Sequence, residues 1–392
     1  MTDATATEID RLIGEIAFVN APEAVIGALR AVARHRFIPA LGLAAPLDAP
    51  PYLIDRDAAP EDWRKAVYSD VSIVTQLDDG ATDLGGNLAG NLGETDYTSS
   101  ASAPSAVADL LTLLDPLPGH RVLEVGTGTG WTAALLSHLL GETRVTSIEV
   151  DASVARTAAK NLGDAGFQPH LIVGDGADGC AERVPFDRVH VTCGIRRVPY
   201  AWVEQCRPGA VIAAPWCPGF GTDHALRLVV TRDGTAHGRF PRFASYMIMR
   251  SQRPLADQPA RDDADKHHLT TTIDPRTIAW APPGADLAIA ATTGLTSNTA
   301  GDTDEAGDLH RLWVSDPTAP HSWAAAVWRP HTDEYQVYQV GDRPVWEETV
   351  EAYFRWISLG EPDRERFGMT ITPEAQHIWL DHPDHVISPE RP

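Results

Sequence analysis

Basic residues are scarce in this chain. Lys and Arg total 32 against 54 Asp and Glu, a formal net charge of -22 over 392 residues. Such a balance repels phosphate backbones and anionic lipid, which argues against nucleic acid and membrane as partners. Long apolar runs are absent too: no stretch reaches the roughly 18 residues needed to cross a bilayer. The start MTDATATEIDRL has neither the basic flank nor the apolar centre of a signal peptide, so a cytoplasmic protein is expected. There are only 4 cysteines, Cys180, Cys193, Cys206 and Cys217, without a CxxC pair. They read as buried free thiols rather than as a metal site. His267-His268 and His382-Pro383-Asp384-His385 lack zinc spacing, so no metal is expected.

What is present begins with 43% hydrophobic residues, enough for a sizeable core and two or three units. The most informative stretch is Arg121-Val122-Leu123-Glu124-Val125-Gly126-Thr127-Gly128-Thr129-Gly130-Trp131. A short apolar strand runs into glycines at alternate positions, and a helical pattern follows at once. Glycine is needed where a Cβ would hold a ligand off the backbone or where the turn demands positive φ. Trp131 stands where the dinucleotide fingerprint has its third glycine, and the Lys-Ser/Thr pair of a phosphate-binding loop is missing. The remaining pattern, ExGxGxG, resembles motif I of S-adenosylmethionine-dependent methyltransferases.

From residue 121 onward strands and helices alternate, which predicts a doubly wound α/β sheet with ligands beyond the carboxyl ends of its strands. Three features fall on that edge: Glu149 ends the second strand, Asp175 and Gly176 follow the third, and Thr192 closes the fourth. Two carboxylate oxygens of Glu149 suit a ribose diol, and Asp175 suits an adenine amino group. Gly126, Thr127, Gly128 and Gly130 form the turn against the methionine part, with Glu124 orienting that turn or the ammonium. The competing reading makes Glu149 and Asp175 ordinary exposed loop acids.

Residues 1–97 read as a helical segment followed by a flap. Ile9, Ile13, Ile16 and Ala17 share a helical face, Pro22-Glu23 opens a second helix, and Leu77 to Asp96 is a loop rich in Gly, Asp and Asn. The hydroxyls Thr98, Ser99, Ser100 and Ser102 precede a helix from Ala106. They read either as its N-cap or as acceptor-binding groups. Residues 98–253 form the cofactor domain. Residues 254–392 form a C-terminal α+β unit, with strand candidates at Thr277 to Trp280, Leu287 to Ala291, Trp323 to Trp328 and Tyr335 to Val340. Its seven tryptophans, among them Trp313 and Trp323, supply either an aromatic core or a peptide groove.

Taken together, HRFIP, YSD, SASAP, VLEVGTGTGW, IEV, GDGADG, FDRVHVTCG and VPYAWVEQCRPGAVIAAP resemble, in order, the protein L-isoaspartyl (D-aspartyl) O-methyltransferases, over residues from about 30 to 250. The resemblance implies a class I methyltransferase Rossmann-like fold, S-adenosylmethionine as cofactor and a peptide carboxylate as acceptor. The family's Thr-Ile-Ser-x-Pro motif falls on Ser100 to Pro104 and carries over Ser102. Departures are Ser105, where the family often has an aromatic residue or His, a longer preceding loop, and the long tail. These point to the enlarged relatives of ribosomal peptide maturation. There the acceptor is a normal aspartate in a precursor peptide, expected to be pre-cyclised, whose ester closes to an aspartimide. Repair of isoaspartate and a cofactor-binding module without turnover are the alternatives.

Overall fold

A computed structural model describes residues 3–86, 95–253, 267–304, 307–319 and 321–388. The chain divides into two compact units. The first comprises Met1–Gly194, Pro199–Ala214 and Val229–Gly234; the second comprises Ile195–Val198, Pro215–Leu228 and Thr235–Pro392.

The first unit opens with α1 (Asp3–Glu15) and α2 (Glu23–Ala31), the latter entered through Pro22. Ile9, Leu12 and Ile16 are buried at helical spacing. The stretch to residue 67, expected to be helical, departs from that reading. It contains β1 (Leu41–Ala45), β2 (Tyr52–Asp55) and α3 (Pro60–Val67). With β3 (Ser72–Leu77) and β4 (Tyr97–Ala101) the strands form an antiparallel sheet in the order β2-β1-β3-β4. LGLAA and YLID are too short to show period-2 alternation, and cross-strand pairing makes them strands. The middle of the flap, residues 87–94, lies outside the described residues, as does the linker at 254–266.

The cofactor domain follows: α4 (Pro104–Leu114), β5 (Val122–Val125), α5 (Trp131–Leu140), β6 (Val145–Glu149), α6 (Ala152–Ala165), β7 (His170–Val173), β8 (Phe186–Val191), α7 (Tyr200–Glu204) and β9 (Cys206–Trp216). All pairings are parallel, in the order β7-β6-β5-β8-β9. Strand order reverses between β5 and β8, and such a reversal opens a crevice at the strands' carboxyl ends. Every residue of β5, β6 and β8 is buried.

The second unit includes β10 (His224–Val230), shared with the first, and β11 (Ala236–Arg242). Five antiparallel strands come next: β12 (His267–Thr271), β13 (Thr296–Asp304), β14 (Gly307–Ser315), β15 (Trp323–Trp328) and β16 (Tyr335–Val340), ordered β12-β16-β15-β14-β13. α8 (Pro275–Ala279), α9 (Pro283–Thr293), α10 (Val345–Ser358), β17 (Phe367–Ile371) and β18 (Gln376–Leu380) complete it. Two strand candidates are therefore helices. Pro at the first turn and Gly294 in a left-handed C-cap frame the second of them, and a short apolar run alone does not separate helix from strand.

A single cut near residue 254 does not separate the units, because β11 pairs with β17, register Ala236↔Ile371 to Arg239↔Gly368. Ending the chain at Arg253 would strip that partner and bare a strand edge. Such a fragment is expected to aggregate on size-exclusion chromatography. A monodisperse fragment with a cooperative melt would show that β11 needs no β17.

Candidate functional site

At the switch point Gly126, Gly128 and Gly130 all have positive φ, at 95°, 54° and 90°. The amides of Gly126 and Thr127 donate to the Ile148 carbonyl, at 2.9 and 3.2 Å, anchoring the turn to the end of β6. Space is as restrictive as torsion: a Cβ on Gly126 would lie 2.7 Å from Thr192 Oγ1, and one on Gly176 would lie 2.4 Å from Val125 Cγ1. Thr192 donates its hydroxyl to the Val125 carbonyl at 3.0 Å and so clamps the entry to the turn. Here Thr192 acts as a brace.

Glu149 is buried at the end of β6 and accepts from the Gly128 amide at 2.9 Å and the Asp151 amide at 3.1 Å. Asp175 accepts from the Ala177 amide at 2.9 Å. The loop it heads is braced from α7 and the residue after it. Trp202 Nε1 donates to the Gly176 carbonyl at 2.8 Å, and Gln205 Nε2 to the Asp178 carbonyl at 2.8 Å. Burial pushes the Cys193 thiol up to about 12, and the negative fields of Glu149 and Asp175 add to the shift. A locally negative crevice with bare glycines rejects phosphates and suits a cationic sulfonium nucleoside, so these residues fit S-adenosylmethionine.

The four hydroxyls before α4 part company. Tyr97–Ala101 is a strand, not a cap segment; its alternation places Thr98 and Ser100 on one side and Ser99 on the other, and Ser102 follows its end. Thr98 donates to Gln76 Oε1 at 3.0 Å, and Ser99 accepts from Thr75 Oγ1 at 3.1 Å, so both serve the sheet. The N-cap of α4 is Ala103, without a side-chain cap; Asp70 instead accepts from the Ser105 amide at 2.8 Å. That leaves Ser100 and Ser102. The Ser100 carbonyl is 3.3 Å from where a Gly128 Cβ would stand, which brings this strand against the glycine turn.

Sequence reasoning missed Arg34. Its guanidinium, buried to 1% exposure, donates to the carbonyls of Val67, Ser69, Val71, Ala101 and Ser102, at 2.9, 3.4, 2.9, 3.1 and 2.9 Å, and lies 5.3 Å from the Trp131 ring centroid. Burial lowers its pKa to about 9, partly offset by Asp70 and then Tyr68. The signal was its place directly before HRFIP. Beside it His35 Nδ1 meets the Tyr68 hydroxyl at 2.5 Å.

Glu124 touches no ligand surface. It is fully buried, accepts from Ser147 Oγ, and through Ser147 reaches Thr127 at 2.6 Å. Burial raises its pKa to about 8; the Ser147 hydrogen bond opposes the shift and Glu149 adds to it. The folded protein therefore holds this proton at pH values where the unfolded chain has lost it. Stability falls as pH rises from the unfolded value near 4.5 to about 8, and is then level. Glu124→Gln mimics the protonated acid. Its melting midpoint should match the wild type near pH 5 and exceed it by several degrees, on the order of 5 °C, at pH 8. A constant difference across that range would mean that Glu124 is ionised.

A family model described as Protein-L-isoaspartate(D-aspartate) O-methyltransferase matches residues 54–236. The protein-L-isoaspartate O-methyltransferase of Opitutus terrae is 32% identical over 216 residues, 55% of this chain and 74% of that one. That of Pyrococcus horikoshii is 42% identical over 135 residues, 34% of this chain and 61% of its own length. A solved structure named protein-L-isoaspartate O-methyltransferase has a TM-score of 0.53 at 20% identity, covering 95% of this chain and 100% of that one. That similarity speaks for the fold alone. The chain belongs to the protein-L-isoaspartate(D-aspartate) O-methyltransferase family of S-adenosylmethionine-dependent O-methyltransferases.

Proposed function

We propose that the chain methylates the free carboxylate of isoaspartyl residues in polypeptides, as the names of its relatives describe for those proteins. The observation that carries this reading is Ser100 on β4, with that strand held against the glycine turn, and Ser102 directly after its end. When bound, S-adenosylmethionine supplies an electrophilic methyl group on a sulfonium and leaves as a neutral thioether. A peptide carboxylate has a pKa near 4, so it reaches the site as an anion and no residue has to remove a proton. What the protein contributes is orientation. Ser102 and Ser100 would donate to the acceptor carboxylate and orient it, and Glu149 and Asp175 would hold the cofactor's nucleoside. Such positioning lowers a barrier by up to about 7 to 11 kcal/mol. Once esterified, the carbonyl is open to attack by the neighbouring backbone nitrogen, with methanol leaving and a five-membered imide forming.

The narrower reading is methylation of a normal aspartate in a pre-cyclised, ribosomally made precursor peptide, ending in an aspartimide. It rests on Ser105, whose amide Asp70 holds at 2.8 Å, and on the departures of the flap. Matched isoaspartyl and aspartyl peptides, linear and cyclised, followed by mass spectrometry decide between the two. Gain of one methyl group on the linear isoaspartyl peptide supports repair; gain only on a constrained aspartyl peptide overturns it.

Glu149→Ala should weaken cofactor binding by about tenfold or more in calorimetry, since charge-assisted hydrogen bonds are lost. Ser102→Ala should lower the methyl-transfer rate about 10- to 100-fold, with cofactor affinity and melting midpoint unchanged, because this serine caps no helix. An unchanged rate would remove Ser102 from the acceptor site.

A further inference from the structure

The five-stranded sheet of the second unit carries α10 on one face, packed across β14, β15 and β16. Its other face holds a groove of about 500 Å³, within the range of small-ligand clefts. Its floor is a cross-strand row in register, Trp313↔Ala325↔Tyr338. A small residue between two aromatic ones makes a trough whose walls rise from strands two spacings apart, roughly 9 to 10 Å. That width admits one flat or rod-like side chain between two ring faces. Trp323 packs on Trp313 at 5.4 Å between centroids, and His268 meets Tyr338 edge-on at 5.0 Å, so both walls are supported.

The rim decides the charge of the occupant. Arg329 is paired with Asp304, and Arg311 with Asp302 at 3.3 Å, so the arginines are neutralised and offer little to an anion. Glu334, also lining the groove, accepts from Thr270 Oγ1 at 2.7 Å and has no arginine partner among the described residues. Aromatic walls with a surplus carboxylate attract a cation, both through the ring quadrupoles and through charge. The net charge of -22 draws basic segments over longer range.

We propose that this groove binds an arginine or lysine side chain of an extended segment in the polypeptide substrate, away from the carboxylate that is methylated. This rests on the polypeptide substrate proposed above. The occupant deepens that reading: the enzyme prefers acceptors carried on basic stretches.

The test uses the full chain and a fluorescein-labelled twelve-residue peptide with two arginines, beside the same peptide with glutamines and a labelled oligothymidine. Fluorescence anisotropy should show the arginine peptide binding about tenfold tighter than the glutamine peptide. Trp313→Ala and the surface change Glu334→Gln should each remove most of that preference. Equal binding of the two peptides, an intact preference in Glu334→Gln, or tight binding of oligothymidine would overturn the proposal. Methyl transfer to isoaspartyl versions of both peptides separates the two readings. Binding preference without turnover rejects the acceptor and keeps the groove; turnover with equal KM for both peptides rejects the groove.

Discussion

Five backbone carbonyls converge on one buried guanidinium, and the placement of the end of β4 depends on it. Arg34 joins the segment from Val67 to Val71 to the end of β4 at Ala101 and Ser102, while its flat face lies over Trp131 at the start of α5. A buried charge is costly unless most of its hydrogen-bonding capacity is met, and planar geometry lets arginine meet several carbonyls at once through its two Nη groups, with Nε left without a hydrogen bond among the described residues. Lysine offers a point charge and no plane to stack. Because Trp131 directly follows Gly130, the same interaction ties the end of β4 to the glycine turn.

Beneath that turn runs a row of polar residues buried in the parallel sheet. Ser147, Glu124 and His190 are register partners across β6, β5 and β8. Burial pushes His190 down to about 3 and Glu124 up to about 8, so near neutral pH most of the row is uncharged. A charged Glu124 would stand under a turn that also faces Glu149. Keeping it protonated limits the negative field to the rim, at Glu149 and Asp175. The acid before the glycines therefore works through Ser147 and Thr127 as a support for the turn.

The parts of the site legible in the sequence were those in which one residue type answers one local demand. Glycines at positive φ, and acids at consecutive strand ends, carry their reason with them, and Gly126, Gly128, Gly130, Glu149 and Asp175 meet at the switch point. Arg34 was hidden because its five partners are backbone carbonyls, which leave no mark in side-chain pattern. The antiparallel sheet of β1 to β4 was hidden for a related reason: four short strands gain their identity from pairing with distant parts of the chain, as Leu43 faces Val74 and Ile73 faces Ala101. The hydroxyls misled in part because an N-cap is normally local, whereas α4 borrows Asp70 from far upstream.

The tryptophans of the tail show why core and groove need not be alternatives. Trp346, Trp356 and Trp379 are buried at 3 to 4% exposure and fill the unit's interior. Trp313 and Trp323 stand on the other side of the five-stranded sheet and line its groove. An antiparallel sheet sends alternate residues to opposite faces, so one strand can serve both: in β15, Ala324 and Ala326 lie on the side opposite Trp323, Ala325 and Val327. Alanines at the centre of such a strand allow α10 to approach closely on one face and leave a trough on the other. The small residues thus set the shape of both faces at once, and a larger residue at Ala325 would fill the trough without entering the core.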